Sequence, residues 1–270
     1  MYAHPTHSAQ SSGAALRSAA GAVRSRLRGW RGEALVFALA VLAYQGGRVF
    51  TRGGADLAVD NAHRVLGLER ALGIDVEAGL QRHLVGTVWL DALDWVYLLA
   101  QQVILAAGLL AIYALSRRVY RVLRTTVLVT WLLALPVYAL FPTAPPRLAA
   151  LGLVDTVSAT TPVDLSGGST TIYNPYAAVP SLHAGFALAL GVALALSTRS
   201  WIVRAVGVAW GPLVMLATLA TANHFVVDVA AGVVLTGMGF AVALAAPRIR
   251  PALRRAAARR PVPAGRLARS

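Results

Sequence analysis

His224 and Asp228 stand four residues apart in TANHFVVDVAAGVV, and His183 stands forty-one residues earlier in AAVPSLHAGFALALG. On a helix, residues four apart share a face, so Asp228 can accept a hydrogen bond from one ring nitrogen of His224 and leave the other presented outward. A carboxylate that fixes the tautomer is what a nucleophilic or basic histidine requires. The same spacing also occurs in polar pairs with a purely structural role, but a carboxylate inside an apolar run is costly and is found mostly at functional positions.

VPSLHAG supplies the second element. Proline suits the first turn of a helix, so Pro180 predicts a helix start with Ser181, Leu182 and His183 in that turn. Free backbone N–H groups and the positive end of the helix dipole make such a terminus an anion site, to which the Ser181 hydroxyl can add a donor. His183 then stands beside the anion; the alternative is a buried capping histidine. The third element is FPTAPPR, whose Arg147 is the single arginine between residues 142 and 182. A guanidinium fork matches phosphoryl oxygens in a bidentate way, although an interfacial arginine can also snorkel. Arg48 is a weaker second candidate for binding phosphate.

The elements that must position these residues follow from hydropathy. The chain has 270 residues, 57% hydrophobic and 13% charged, which argues against an ordinary soluble domain. A bilayer core about 30 Å thick needs roughly 20 apolar residues per helix. Six stretches qualify: about 34–50, 93–115, 124–141, 183–198, 201–221 and 226–246. The expected fold is therefore all-α, a six-span membrane bundle. In segment 51–92, Leu57, Val65, Leu68 and Leu72 recur at helical spacing among charged residues, which predicts helices lying on the membrane interface. The prolines of FPTAPPR and the GGST at 167–170 mark 142–182 as an irregular loop. Three regions are expected: an arginine-rich tail at 1–32, a membrane catalytic domain at 33–247 and a disordered basic tail at 248–270. A cleaved signal peptide is not expected, because the polar lead is long and no small-residue cleavage site is clear.

The net charge of +14 is carried entirely by arginine, without lysine, and cysteine is absent, which leaves no thiolate chemistry. Nucleic acid is one partner for such charge, but the arginines cluster in the tails and in short loops beside apolar spans, the pattern of positive-inside topology. The tail before residue 32, the 116–124 loop, the turn bracketed by Arg199 and Arg204, and the tail after 247 belong to the cytoplasmic side. Segments 51–92, 142–182 and 222–225 belong outside. His183, His224 and Asp228 then share the external face.

FPTAPPR, YNPYAAVPSLHAG and NHFVVDVAAG, with ERALGIDVEAGLQ at 69–81, resemble the membrane-bound type-2 phosphatidic acid phosphatase superfamily, and more narrowly its inositolphosphotransferase branch, which includes inositol phosphorylceramide synthase. The resemblance covers about residues 40 to 245. It implies a six-helix core in which His224 forms a phosphohistidine, Asp228 orients the ring, and His183 protonates the leaving oxygen and then deprotonates the acceptor. It also implies that Arg147 and Ser181 hold the phosphoryl oxygens, and that no metal or other cofactor takes part. The sequence departs from the phosphatase pattern in lacking the lysine before the first arginine and in placing Thr218 where an arginine precedes the nucleophile by six residues. Fewer cations favour a diester over a phosphomonoester dianion. The expected activity is thus phosphotransfer between lipids at an external site with both termini cytoplasmic; the alternatives are a lipid or polyprenyl phosphate phosphatase and a non-enzymatic transporter or haem carrier. The expected partners are a lipid phosphoester and membrane lipids, with no nucleic acid.

Overall fold

The computed structural model describes residues 29–50, 54–165 and 174–258, with side chains between 43 and 50 and beyond 245 outside that description. The described residues are all-helical. Helix α1 spans Trp30–Phe50, α2 Ala55–Leu72 and α3 Glu77–Leu84. Helices α4, Val88–Leu99, and α5, Leu105–Leu115, are joined through a π turn at Ala100–Ile104. Then come α6 at Arg117–Leu140, the short α7 at Thr156–Thr160, α8 at Leu182–Ser197, α9 at Trp201–Ala220 and α10 at Val226–Ala258.

Their ends follow local chemistry. The Thr87 side chain accepts from the Leu90 N–H and starts α4, so the expected span at 93–115 begins at Val88. Ser116 is extended, with φ −152°, and its hydroxyl accepts from Val119 N–H, so a single residue both stops α5 and starts α6. Segment 51–92 is helical, as its spacing predicts: it contains α2 and α3, separated by Gly73 in the left-handed region at φ +68°. Helix α10 continues past the expected boundary at 247 to Ala258.

Among the described residues, four helical stretches are long and apolar enough to cross a membrane: Val88–Leu115, Arg117–Leu140, Trp201–Ala220 and Val226–Ala245. Exposed Leu132, Val208 and Trp201 on their outer faces fit contact with lipid rather than water. The sequence reading counted six spans. Of the two others, α8 is apolar but has 16 residues, about 24 Å at 1.5 Å per residue, and α1 is a helix of 21 residues.

Short α8 is nonetheless the centre of the bundle, with contacts to α5, α6, α9 and α10. Its composition explains this. Gly191 approaches α9 so closely that a Cβ there would lie 2.3 Å from the Gly207 carbonyl oxygen. Between lipid-embedded helices the drive to associate comes from packing, and small residues permit the approach. On its other side, Leu182, Phe186 and Leu190 of α8 fill a core with Leu105, Ile112, Leu123, Val127 and Tyr138 of α5 and α6. On the expected cytoplasmic side, Arg124 pairs with Glu33 at 2.9 Å and holds α1 against α6.

The loop after α6 is irregular but knit down. Thr143 N–H donates to Tyr176 O at 2.9 Å, and Ala178 N–H returns to Thr143 O at 3.1 Å. Helix α2 docks on this loop through Asn61 Nδ2, which donates to Pro142 O at 2.8 Å. Gln81 of α3 pairs with both backbone groups of Val154, at 2.9 and 2.8 Å.

Candidate functional site

The site forms where the N-termini of α8 and α10 meet. Helix α8 starts two residues later than expected, at Leu182: Pro180 precedes the cap, and Ser181 is the N-cap rather than a first-turn residue. Ser181 is fully buried, its Oγ accepts from Ala184 N–H at 3.3 Å, and its own N–H donates to Asp228 O at 2.9 Å. That last bond ties the two helix starts together. Gly232 makes it possible, since a Cβ there would lie 2.1 Å from Ser181 O; Gly185 serves likewise, with a Cβ position 2.5 Å from Thr236 Oγ1. Both glycines lie inside the motifs, yet the sequence reading gave them no role.

His224 does not lie on the helix that carries Asp228, because α10 begins at Val226. The pair forms by another route. Asp228 occupies the third position of α10 and reaches back, its Oδ2 accepting from Phe225 N–H at 2.9 Å in the manner of a capping box. The same oxygen stands 3.3 Å from His224 Nδ1. A nearer acceptor is the Ala178 carbonyl, 3.0 Å from Nδ1. A carbonyl can only accept, so Nδ1 carries the hydrogen and Nε2 keeps its lone pair. His224 is buried, and burial, reinforced by the positive charge of Arg147, pushes its pKa down to about 3. The ring is thus a neutral base at physiological pH, with its tautomer set by two acceptors.

His183, on the first turn of α8, is half-buried. Its ring centroid lies 5.9 Å from that of His224, tilted by 54°. Tyr97 of α4 stacks on its other face at 4.2 Å and 21°, limiting how the ring can turn. Tyr97 carried no signal in the sequence, where WVYLLAQQ reads as one more apolar helix.

Arg147 follows the prolines of FPTAPPR and is buried. Its N–H donates to Ala222 O, Nε donates to Asn223 Oδ1 at 2.8 Å, and Nη1 donates to Asp155 Oδ2 at 2.8 Å and to Leu165 O at 3.0 Å. The sequence reading gave the whole fork to phosphoryl oxygens, whereas Nε and Nη1 here take protein acceptors. Asn223 and Asp155 went unnoticed; adjacency to His224 was the one available hint for Asn223. The turn between α9 and α10 is strained, with Ala222 at φ +53°, and it is held by Thr218 O, which accepts from both Asn223 N–H and His224 N–H. Such conformations cost about 1–2 kcal/mol and persist where surrounding structure enforces them. The Arg48 side chain lies outside the described residues.

A membrane bundle with two histidines at adjoining helix starts, one of them locked by a carboxylate, defines a class. The chain belongs to the PAP2 superfamily, whose family model matches residues 63–242. Members of that superfamily are generally phosphatases or phosphotransferases. The matched stretch contains His183, His224, Asp228, Arg147 and Ser181. No curated protein and no solved structure matches the chain.

Proposed function

We propose that this protein is an integral-membrane lipid phosphotransferase that moves a phospho-headgroup, such as inositol phosphate, from one lipid to an alcohol. His224 Nε2 attacks phosphorus of the donor diester. The bond to the lipid oxygen breaks, and His183 gives its proton to that oxygen, leaving the headgroup phosphate on Nε2. The acceptor alcohol then returns a proton to His183 and attacks phosphorus, and the P–N bond breaks to restore His224. Asp228 keeps the ring aimed, while Arg147 and the Ser181 hydroxyl favour the charge developing on the phosphoryl oxygens.

The observation that carries this reading is the pairing of imidazoles 5.9 Å apart, one tethered through Nδ1. Acid–base help of this kind contributes about 10²–10⁴-fold. Transfer from a diester is favoured over removal of phosphate by the charge balance. Arg147 is already paired with Asp155, and Thr218, fully buried, stands where an arginine would add a second cation. A dianion would meet little compensation there. A cleft of about 670 Å³, lined by Phe37, Leu105, Tyr113, Trp131 and Phe186, suits the hydrocarbon part of a lipid.

We place this site in a domain spanning 33–247 with six spans, α1 and α8 completing the bundle, and α2 and α3 on the external interface. Both termini are cytoplasmic and the two tails, 1–32 and 248–270, are basic extensions that meet anionic lipid. The test is incubation of purified protein with phosphatidylinositol labelled at phosphorus, with and without a long-chain lipid alcohol. Label in a new phosphodiester lipid is the expected product. Preference for phosphatidic acid with release of inorganic phosphate alone replaces transferase by phosphatase.

A further inference from the structure

Three backbone N–H groups open α10, and each is held by a carboxyl group. Asp228 takes Phe225 N–H at 2.9 Å, Glu77 Oε1 takes Val226 N–H at 2.8 Å, and Glu69 Oε1 takes Val227 N–H at 2.7 Å. These are the orphan donors every helix start must satisfy. The two glutamates come from α2 and α3, about 150 residues away in sequence. They are almost completely buried, at 0% and 3% exposure, although glutamate is among the residues least often buried unless paired.

Their arrangement demands a proton. Glu69 and Glu77 accept from the N–H groups of neighbouring residues, Val227 and Val226, which brings the two carboxyl groups side by side, and the second oxygen of Glu69 is buried with no donor directed at it. Two carboxylates cannot share such a place in the ionised form. One proton between them turns the contact into a hydrogen bond and leaves an Oε1 on each for the helix.

We propose that Glu69 and Glu77 are positioning residues that, as a proton-sharing pair, clamp the start of α10 and so hold the aim of His224. The inference rests on the reading of His224 as nucleophile. The clamp acts one residue from Phe225 and two from His224, in the turn already strained at Ala222. It also links the interfacial helices to the reacting group, a link that the hydrophobic pattern of ERALGIDVEAGLQ does not suggest.

The clamp is sensitive to pH. Burial, followed by the charges of Glu77 from α3 and Asp228 from α10, pushes Glu69 up to about 8, while burial raises Glu77. For a group protonated in the folded state and ordinarily titrating at 4.5, the stability it contributes is full below pH 4.5 and is lost as pH rises to about 8. Glutamine mimics the protonated acid, since its oxygen can accept from Val227 and its NH₂ can donate to Glu77.

The experiment uses the full chain in detergent with labelled phosphatidylinositol. Glu69→Gln is expected to keep neutral-pH kcat within about threefold and to remove an alkaline fall in kcat that is expected of wild type as pH rises toward about 8. Glu69→Ala is expected to lower kcat by about 10²-fold, as for a misplacement of roughly 1 Å, with KM within about twofold. Thermal unfolding from pH 5 to 9 supplies an arm that needs no activity: the fall in midpoint toward pH 8 should be shallower in Glu69→Gln than in wild type. An equal pH slope of stability in both proteins overturns the clamp, as does wild-type kcat in Glu69→Ala. Loss of the phosphohistidine reading alone, shown by unchanged turnover in His224→Ala, leaves the stability arm to decide the clamp.

Discussion

Replacing Gly232 by alanine tests whether the meeting of α8 and α10 sets the geometry of the histidines. The new Cβ would lie 2.1 Å from Ser181 O and 3.0 Å from its carbonyl carbon. Ordinary contact begins at 3.4 Å, so the backbones must part by about 1.3 Å, the difference between 3.4 and 2.1. No flexible side chain is available to absorb this, because the obstructing atoms are backbone. Overpacking of this kind costs about 1–3 kcal/mol, and loss of the Ser181 N–H to Asp228 O bond adds about 0.5–1.5 kcal/mol. The displacement falls between His183 and His224, where a shift of about 1 Å reduces turnover roughly 10²-fold. Gly237→Ala is the control: five residues along the same helix, its added Cβ meets nothing within 4 Å, and it should gain about 0.5–1 kcal/mol from the better helix former. Turnover and thermal midpoint, measured for both variants in one detergent, decide the matter. If Gly232→Ala matches Gly237→Ala in both, the packing argument is wrong.

Three further outcomes are expected. Arg147→Lys keeps the charge but cannot reproduce the bonds from Nε to Asn223 and from Nη1 to Asp155 and Leu165; at about 1.5–3 kcal/mol for a hydrogen bond involving a charged group, kcat/KM should fall at least about tenfold, and a value within twofold of wild type would refute it. His183→Ala should still form phosphoenzyme from substrates with good leaving groups, which need little protonation, whereas His224→Ala should form none; acid-labile label on the protein is the readout. With cysteine absent from the natural chain, single cysteines placed at Thr170 and at Arg121 should react in intact cells with an impermeant reagent at 170 and not at 121, and the reverse pattern would invert the proposed topology.

Much of the fold was legible because its determinants are local. Runs of apolar residues gave the four stretches long enough to span out of the six expected, the charge-interleaved pattern of 51–92 gave the helices α2 and α3, and prolines gave the irregular chain that follows α6. The pairing of His224 with Asp228 in the candidate site was legible in its residue types: an aspartate four residues after a histidine signals a restrained ring whether the link runs along a helix or through a cap. The cap was hidden, since whether α10 starts before or after His224 turns on which groups receive its first N–H donors. Those receivers are distant. Ala178 supplies the carbonyl that fixes Nδ1 across 46 residues, Asn223 engages Arg147 across 76, and Glu69 reaches Val227 across 158. No local propensity encodes such contacts, because each depends on which helix faces are brought together. That choice belongs to close packing, and above all to Gly185 and Gly232, whose missing side chains the sequence displays but whose partners only the tertiary structure reveals.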